Sequence, residues 1–211
     1  MKTNISSYIK VFDGFTKEQC EVIITSLDSS KSEPHTFVQS VTNRIYAMGK
    51  DPNISFLKKE KVDPIGDLIK DKWHKLIGKY ILEFLKEEKM DWYNSWNGFS
   101  FPKFMEYNEG TLMTTHCDHI FTLFEPNRIA LQQALGQSFL ANLGRQGGVP
   151  IISLITALND EYSGGEIIMC ERYKYKLKAG ETLIFPSNFL YPHEIKEITK
   201  GTRYSMVSWV F

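Results

Sequence analysis

His116 and Asp118 are separated by a single residue, Cys117. Side chains alternate between faces along an extended strand, so the imidazole and the carboxylate point one way while Cys117 and His119 point the other. An imidazole beside a carboxylate can fill two neighbouring positions around a metal ion. A third ligand must come from elsewhere, and His193, just past the Tyr191-Pro192 turn, is the natural donor. Two histidines and one carboxylate on one face of an ion leave three positions open, the arrangement used by non-haem Fe(II) oxygenases. His-x-Asp pairs also arise by chance on surface strands, so the pair needs company.

Arg203, ten residues after His193, supplies it. On a strand it shares a face with Ser205, Val207 and Trp209, and Val207 and Trp209 are core residues by type. If that face is inward, the guanidinium is inward too, which is costly unless it meets an anion. Its planar fork is suited to holding a carboxylate bidentately.

These residues must be positioned by the elements around them. From residue 96 onward the chain reads as short strands rich in β-branched and aromatic residues. They span 99–107, 112–119, 149–158, 166–170, 173–177, 182–185, 193–198 and 203–211. Glycine-bearing turns at Asn108-Glu109-Gly110, Ser163-Gly164-Gly165, Ala179-Gly180 and Lys200-Gly201 divide them. Such a series predicts a sandwich, jelly roll or barrel. Ahead of it, 6–15 reads as a strand and 29–34 as a polar break, with a β-like stretch over 37–48. Thr16 is an N-cap with Gln19 as its capping-box partner, opening a helix to Leu27. A second helix, from Asp63-Pro64 to about Glu88, carries one wide apolar face suited to lying on a sheet.

Composition sets the outer limits. The chain has 211 residues, 42% hydrophobic and 13% aromatic, which excludes disorder and provides for a packed core. Lys+Arg and Asp+Glu number 25 each, so the net charge is zero and tight holding of nucleic acid by phosphate neutralisation is disfavoured. Cys20, Cys117 and Cys170 form no Cys-x-x-Cys pair, so neither a disulfide framework nor a structural zinc site is expected. No run approaches the ~18 apolar residues of a membrane span, and no secretory signal is visible at the start. The expectation is a cytoplasmic protein.

Beyond the residues themselves, the sequence resembles the 2-oxoglutarate and Fe(II)-dependent dioxygenases, in the prolyl 4-hydroxylase-like branch that includes small members carried by bacteriophages. The motifs that carry the resemblance are Tyr107-Asn-Glu-Gly110, His116-Cys-Asp118, Ser153 to Asn159 leading to Gly164-Gly165-Glu166, Gly180 to Pro186, His193, Arg203 and Trp209. It implies a mainly β (α+β) fold: a double-stranded β-helix, or jelly roll, buttressed by N-terminal helices. One domain would span 1–211, with a helical flank and N-terminal strands over 1–95 and a jelly-roll core over 96–211 interrupted by an insertion at 120–148. The resemblance also implies that His116, Asp118 and His193 bind Fe(II) and that Arg203 holds the distal carboxylate of 2-oxoglutarate. Tyr107, Ser153 and Ser205 would contact that co-substrate. The small molecules would be Fe(II), 2-oxoglutarate, O₂ and ascorbate. The reaction would be hydroxylation of a C–H bond in a prolyl, amino-acid, peptide or protein substrate, with release of succinate and CO₂. Met113 stands where relatives carry a second tyrosine, so the substrate itself is not carried over.

Other readings compete for the same residues. A non-catalytic jelly-roll binding module would tolerate loss of the triad and of Arg203. A nucleobase-directed oxygenase would need a basic groove and stacking aromatics beside the metal. A halogenase is disfavoured because Asp118 fills the position that halide would take. His119 rivals Asp118's neighbours as a ligand, although strand parity aims it away. His74 reads as a helical surface residue, and the Trp92-Tyr93-Trp96-Phe99 cluster reads as packing between helix and sheet. The segment 120–148, with Gly136, Gly144, Gly147 and Gly148, reads as a hinged lid over the site, as a helix packed permanently on the sheet, or as a contact surface for another subunit.

Overall fold

The computed structural model describes residues 4–39, 44–46, 50–88, 96, 98–118 and 150–211, with side chains left aside at 37–39, 44–46 and 84–88. His119, Trp92, Tyr93 and the segment 120–148 lie outside the described residues.

Among the described residues the strands and α-helices follow one another as β1 (Lys10–Asp13), α1 (Lys17–Thr25), β2 (Leu27–Pro34), β3 (Phe37–Gln39), β4 (Arg44–Tyr46), β5 (Asn53–Leu57), α2 (Val62–Glu88), β6 (Lys103–Tyr107), β7 (Met113–His116), β8 (Ile152–Ala157), β9 (Ser163–Gly164), β10 (Ile167–Met169), β11 (Tyr173–Tyr175), β12 (Glu181–Pro186), β13 (His193–Ile195), β14 (Ile198–Lys200) and β15 (Arg203–Val210). Every pairing among them is antiparallel. A seven-stranded sheet runs β1-β12-β8-β15-β6-β5-β2 and a four-stranded sheet runs β11-β10-β13-β7.

Alternation on the large sheet builds two cores. Leu154, Ile184, Met206 and Val210 face α2 and meet its buried stripe of Ile65, Ile69, Trp73, Ile77 and Tyr80. Trp73 Nε1 donates to Thr156 Oγ1 at 3.1 Å, and Thr156 shares a 2.7 Å hydrogen bond with Thr182. These contacts satisfy three polar groups beneath the helix. The opposite face offers Met105, Tyr107, Ile155, Ala157, Leu183 and Phe185, which pack against Ile167, Met169 and Ile195 of the small sheet. Helices, large sheet and small sheet thus form three layers, the jelly-roll architecture with helical buttress.

The capping box is present, with Thr16 Oγ1 accepting from the Gln19 amide and Gln19 Oε1 accepting from the Thr16 amide. Several sequence expectations need correction. The stretch 6–15 is a strand only over Lys10–Asp13, because Ile5–Tyr8 form a 3-10 turn capped by Asn4. The break at 29–34 is instead part of β2, an edge strand paired with β5. Its polar side chains are exposed, so no apolar alternation betrays it. The strand expected over 193–198 is two strands that join different sheets. Among the described residues no helix is long and apolar enough to cross a membrane.

Candidate metal and co-substrate site

Strand register creates the first pair. His116 closes β7 directly opposite His193, the first residue of β13, and their ring centroids lie 4.3 Å apart. Each imidazole is held by the carbonyl two residues earlier: His116 Nδ1 lies 2.8 Å from Thr114 O and His193 Nδ1 lies 3.1 Å from Tyr191 O. A carbonyl only accepts, so both Nδ1 atoms donate and both Nε2 lone pairs are left for a ligand role. Phe185 packs edge-on against the His193 ring at 5.0 Å, which limits its rotation.

Asp118 completes the group from just beyond β7. The strand ends at His116, so the Asp118 side chain reaches the imidazoles through a turn and not through continued strand alternation. Its Oδ1 stands 3.7 Å from His116 Nε2 and 3.9 Å from His193 Nε2. All three ligand atoms lie within 4.8 Å of one another. Neighbouring ligands about 2.1 Å from one ion sit about 3 Å apart, so these separations must close by up to about 2 Å for the donors to share an ion. Ser153 holds the other oxygen, donating to Asp118 Oδ2 at 2.6 Å. Ser153 has one hydroxyl proton and the carboxylate only accepts, so Ser187, 2.9 Å away, donates in turn to Ser153. The structure therefore sets Ser153 against the carboxylate, a neighbour that sequence did not assign to it.

Arg203 opens β15 and is 1% exposed. Nη1 donates to Ser205 Oγ at 2.9 Å, and the guanidinium carbon lies 4.8 Å from the centroid of the Tyr107 ring, its cross-strand partner. Nε and Nη2 are buried without a hydrogen-bond partner. A charged donor pair left open in the core is costly, and one edge of the guanidinium fits a carboxylate. Burial raises the Tyr107 hydroxyl pKa above its usual range, with Arg203 pulling the other way, so the phenol remains a proton donor. Gly165 makes room for the cation. With φ +66, an added Cβ would stand 2.4 Å from Ile198 Cδ1, 2.9 Å from Tyr162 Cε2 and 3.2 Å from Arg203 Cδ.

Two basic residues at this site escape a reading of sequence alone. Lys103 lies on the same sheet face as Met105 and Tyr107, with Nζ 5.6 Å from the Trp209 ring centroid. Burial lowers its pKa, against the pull of Asp118. Burial also lowers the His35 pKa to about 3, helped by Lys103 and His116 nearby. Only cross-strand register brings these residues to the site, and no local motif marks them.

The family model of the 2OG-Fe(II) oxygenase superfamily matches residues 102–211, just over half of the chain and including every residue of this cluster except His35. The chain belongs to that superfamily. Its members' Fe(II) and 2-oxoglutarate match the donor set and the open guanidinium described above. A PKHD-type hydroxylase of Acinetobacter baumannii is 30% identical over 112 residues, 52% of this chain and 42% of the relative. The chain thus spans less than half the length of that curated relative. Two solved oxygenases share the fold. A Pseudomonas putida prolyl-4-hydroxylase superposes with a TM-score of 0.59 at 13% identity, covering 96% of this chain and 91% of that one. A Trichoplax adhaerens prolyl hydroxylase, in complex with a hypoxia inducible factor peptide fragment, gives 0.58 at 14% identity, covering 97% and 83%.

Proposed function

We propose that this protein is a 2-oxoglutarate-dependent hydroxylase acting on a prolyl or other amino-acid C–H bond in a peptide, protein or free amino acid. The observation that carries this reading is the pairing of the His116, Asp118 and His193 donors with a buried guanidinium whose Nε and Nη2 lack partners. In this reading His116 Nε2, His193 Nε2 and an oxygen of Asp118 hold Fe(II). Arg203 takes the distal carboxylate of 2-oxoglutarate. Bound iron, 2-oxoglutarate and O₂ together supply the oxidising power for hydroxylation, with succinate and CO₂ as by-products. Ascorbate would serve as the reductant that keeps the iron ferrous.

The chain's own residues orient and insulate. Carbonyls 114 and 191 fix the imidazole tautomers, and Ser153 turns the Asp118 carboxylate so that Oδ1 faces the imidazoles. Tyr107 and Ser205 flank the Arg203 fork and set its plane. The apolar wall of Met105, Ile155 and Phe185 keeps water from the site. The peptide complex of the Trichoplax relative supports a peptide substrate.

The test is succinate formation from 2-oxoglutarate with Fe(II) against a panel of peptides, amino acids and oligonucleotides. Turnover stimulated by a peptide or amino acid supports the reading. His116→Ala, Asp118→Ala and His193→Ala should each abolish it while thermal unfolding shows the fold retained. Full activity in any of the three removes the triad assignment, and stimulation by oligonucleotides alone replaces the substrate class.

A further inference from the structure

Among the described residues, Lys103 is a second cation on the site face beside Arg203, and the iron and its co-substrate leave no evident use for it. It stands opposite Val207 on β15, with Trp209 one strand step further along. Arg203 lies four residues back along β15, a separation of about 13 Å. The two cations therefore occupy opposite ends of one sheet face. Trp209 lies opposite Ser153, the residue that holds Asp118. This puts Lys103 at the metal-carboxylate end of the face. Its ammonium rests against the Trp209 ring, and among the described residues no carboxylate lies within ion-pair distance of it.

A charge count over the site isolates this ammonium. Asp118 and Arg203 offset each other, and the dianion of 2-oxoglutarate offsets Fe(II). Among the described residues, the Lys103 charge is left over, partly buried and set against an aromatic face alone. The Trp209 ring stabilises it weakly and cannot replace a carboxylate.

Resting on the oxygenase reading above, we propose that Lys103 is a specificity-determining residue and that the substrate presents a carboxylate to it beside the hydroxylated carbon. That carboxylate can come from an acidic side chain next to the target residue in a peptide, or from the α-carboxylate of a free amino acid. Trp209 supplies the flat wall against which the substrate's apolar part lies, and Lys103 fixes its orientation relative to the iron. Such a pairing, desolvated between the two sheets, discriminates strongly against neutral and cationic analogues.

The experiment uses the full chain with blocked Glu-Pro, Gln-Pro and Lys-Pro peptides for the side-chain source. Free proline against prolinamide tests the α-carboxylate source. Two readouts are taken: Fe(II)-dependent succinate formation, and calorimetric binding of each probe to protein loaded with Mn(II) and an inert 2-oxoglutarate analogue. The carboxylate member of at least one set should bind about tenfold or more tightly than its neutral partner. Lys103→Met should erase that preference, and Lys103→Glu should turn it toward the Lys-Pro peptide. Lys103→Met replaces the stem with an apolar chain of similar length, so it remains informative if Lys103→Glu unfolds. Turnover or binding without charge preference, a preference that survives Lys103→Met, or binding of no probe overturns the assignment to Lys103. Absence of Fe(II)-dependent succinate formation from 2-oxoglutarate in every arm overturns the oxygenase reading beneath it.

Discussion

Ser153 and Asp118 meet at 2.6 Å, hydroxyl to carboxylate, across the gap between the two sheets. Asp118 lies outside any strand, so this contact sets the direction of Oδ1. Outer partners of metal ligands typically tune affinity by about 10- to 100-fold. Ser153→Ala should weaken Fe(II) or Mn(II) binding within that range, as read by metal titration of the apoprotein. Ser187→Ala, one hydroxyl further back, should have a smaller effect in the same direction. Unchanged metal affinity in Ser153→Ala would separate this hydroxyl from the site.

Arg203→Ala removes the charge partner of the co-substrate, and breaking a buried pair of this kind costs about 3–5 kcal/mol. The KM for 2-oxoglutarate should rise by more than a hundredfold, with metal affinity little altered. Arg203→Lys should recover part of the loss, since Lys keeps the charge but not the fork. Gly165→Ala should mimic Arg203→Ala in milder form. Its Cβ presses on Arg203 Cδ and Ile198 at a positive φ that alanine rarely adopts. A Gly165→Ala enzyme with an unchanged KM for 2-oxoglutarate would show that Arg203 does not depend on this approach.

Acid should destabilise the fold through His35. The unfolded residue takes up a proton near pH 6.5, whereas the folded one waits until about pH 3. Between those values the unfolded chain binds more protons, so stability falls as pH falls, by at most about 1.4 kcal/mol per pH unit from this group. The carboxyls of Asp28, Asp71 and Glu166, whose pKa values are lowered, add their own loss only at the acidic end of that window. Urea unfolding of wild type and His35→Asn at pH 7 and pH 5 should show a smaller pH effect in the variant. Parallel losses would exclude His35 as the source.

Beneath the helix, Trp73→Phe should cost about 1–3 kcal/mol of stability, because the Thr156 hydroxyl is left with one partner fewer in a dry core. Trp73→Phe with both Thr156→Val and Thr182→Val should recover part of that loss, since neither hydroxyl is then left in the core. Equal unfolding midpoints for wild type and Trp73→Phe would show that the Trp73–Thr156 bond contributes nothing.

Local signals account for the features that sequence made legible. Thr16 and Gln19 announce a helix start because a capping box is a contact between residues three apart. The α2 stripe is visible because Ile65, Ile69, Trp73 and Ile77 recur at helical spacing. His116, Asp118, His193 and Arg203 could be picked out by residue type and order. Asp118 departs from the strand alternation that its spacing from His116 predicts, since the strand stops before it and a turn brings it in. β2 stayed hidden because an exposed edge strand needs no apolar face. Lys103 and His35 stayed hidden for a related reason. Their place depends on β6 pairing with β15 and on β2 ending beside β5, and register between distant strands leaves no local mark.

Both imidazoles stand on strands of the small sheet, while the carboxylate leans on Ser153 of the large one. An ion shared by all three would therefore cross-link the two halves of the sandwich. Its binding free energy is then also folding free energy, about 2.7 kcal/mol at a hundredfold excess over Kd. A chelator would do more than silence such a protein: it would unpin one sheet from the other, and iron scarcity would be felt as lower thermal stability and faster proteolysis.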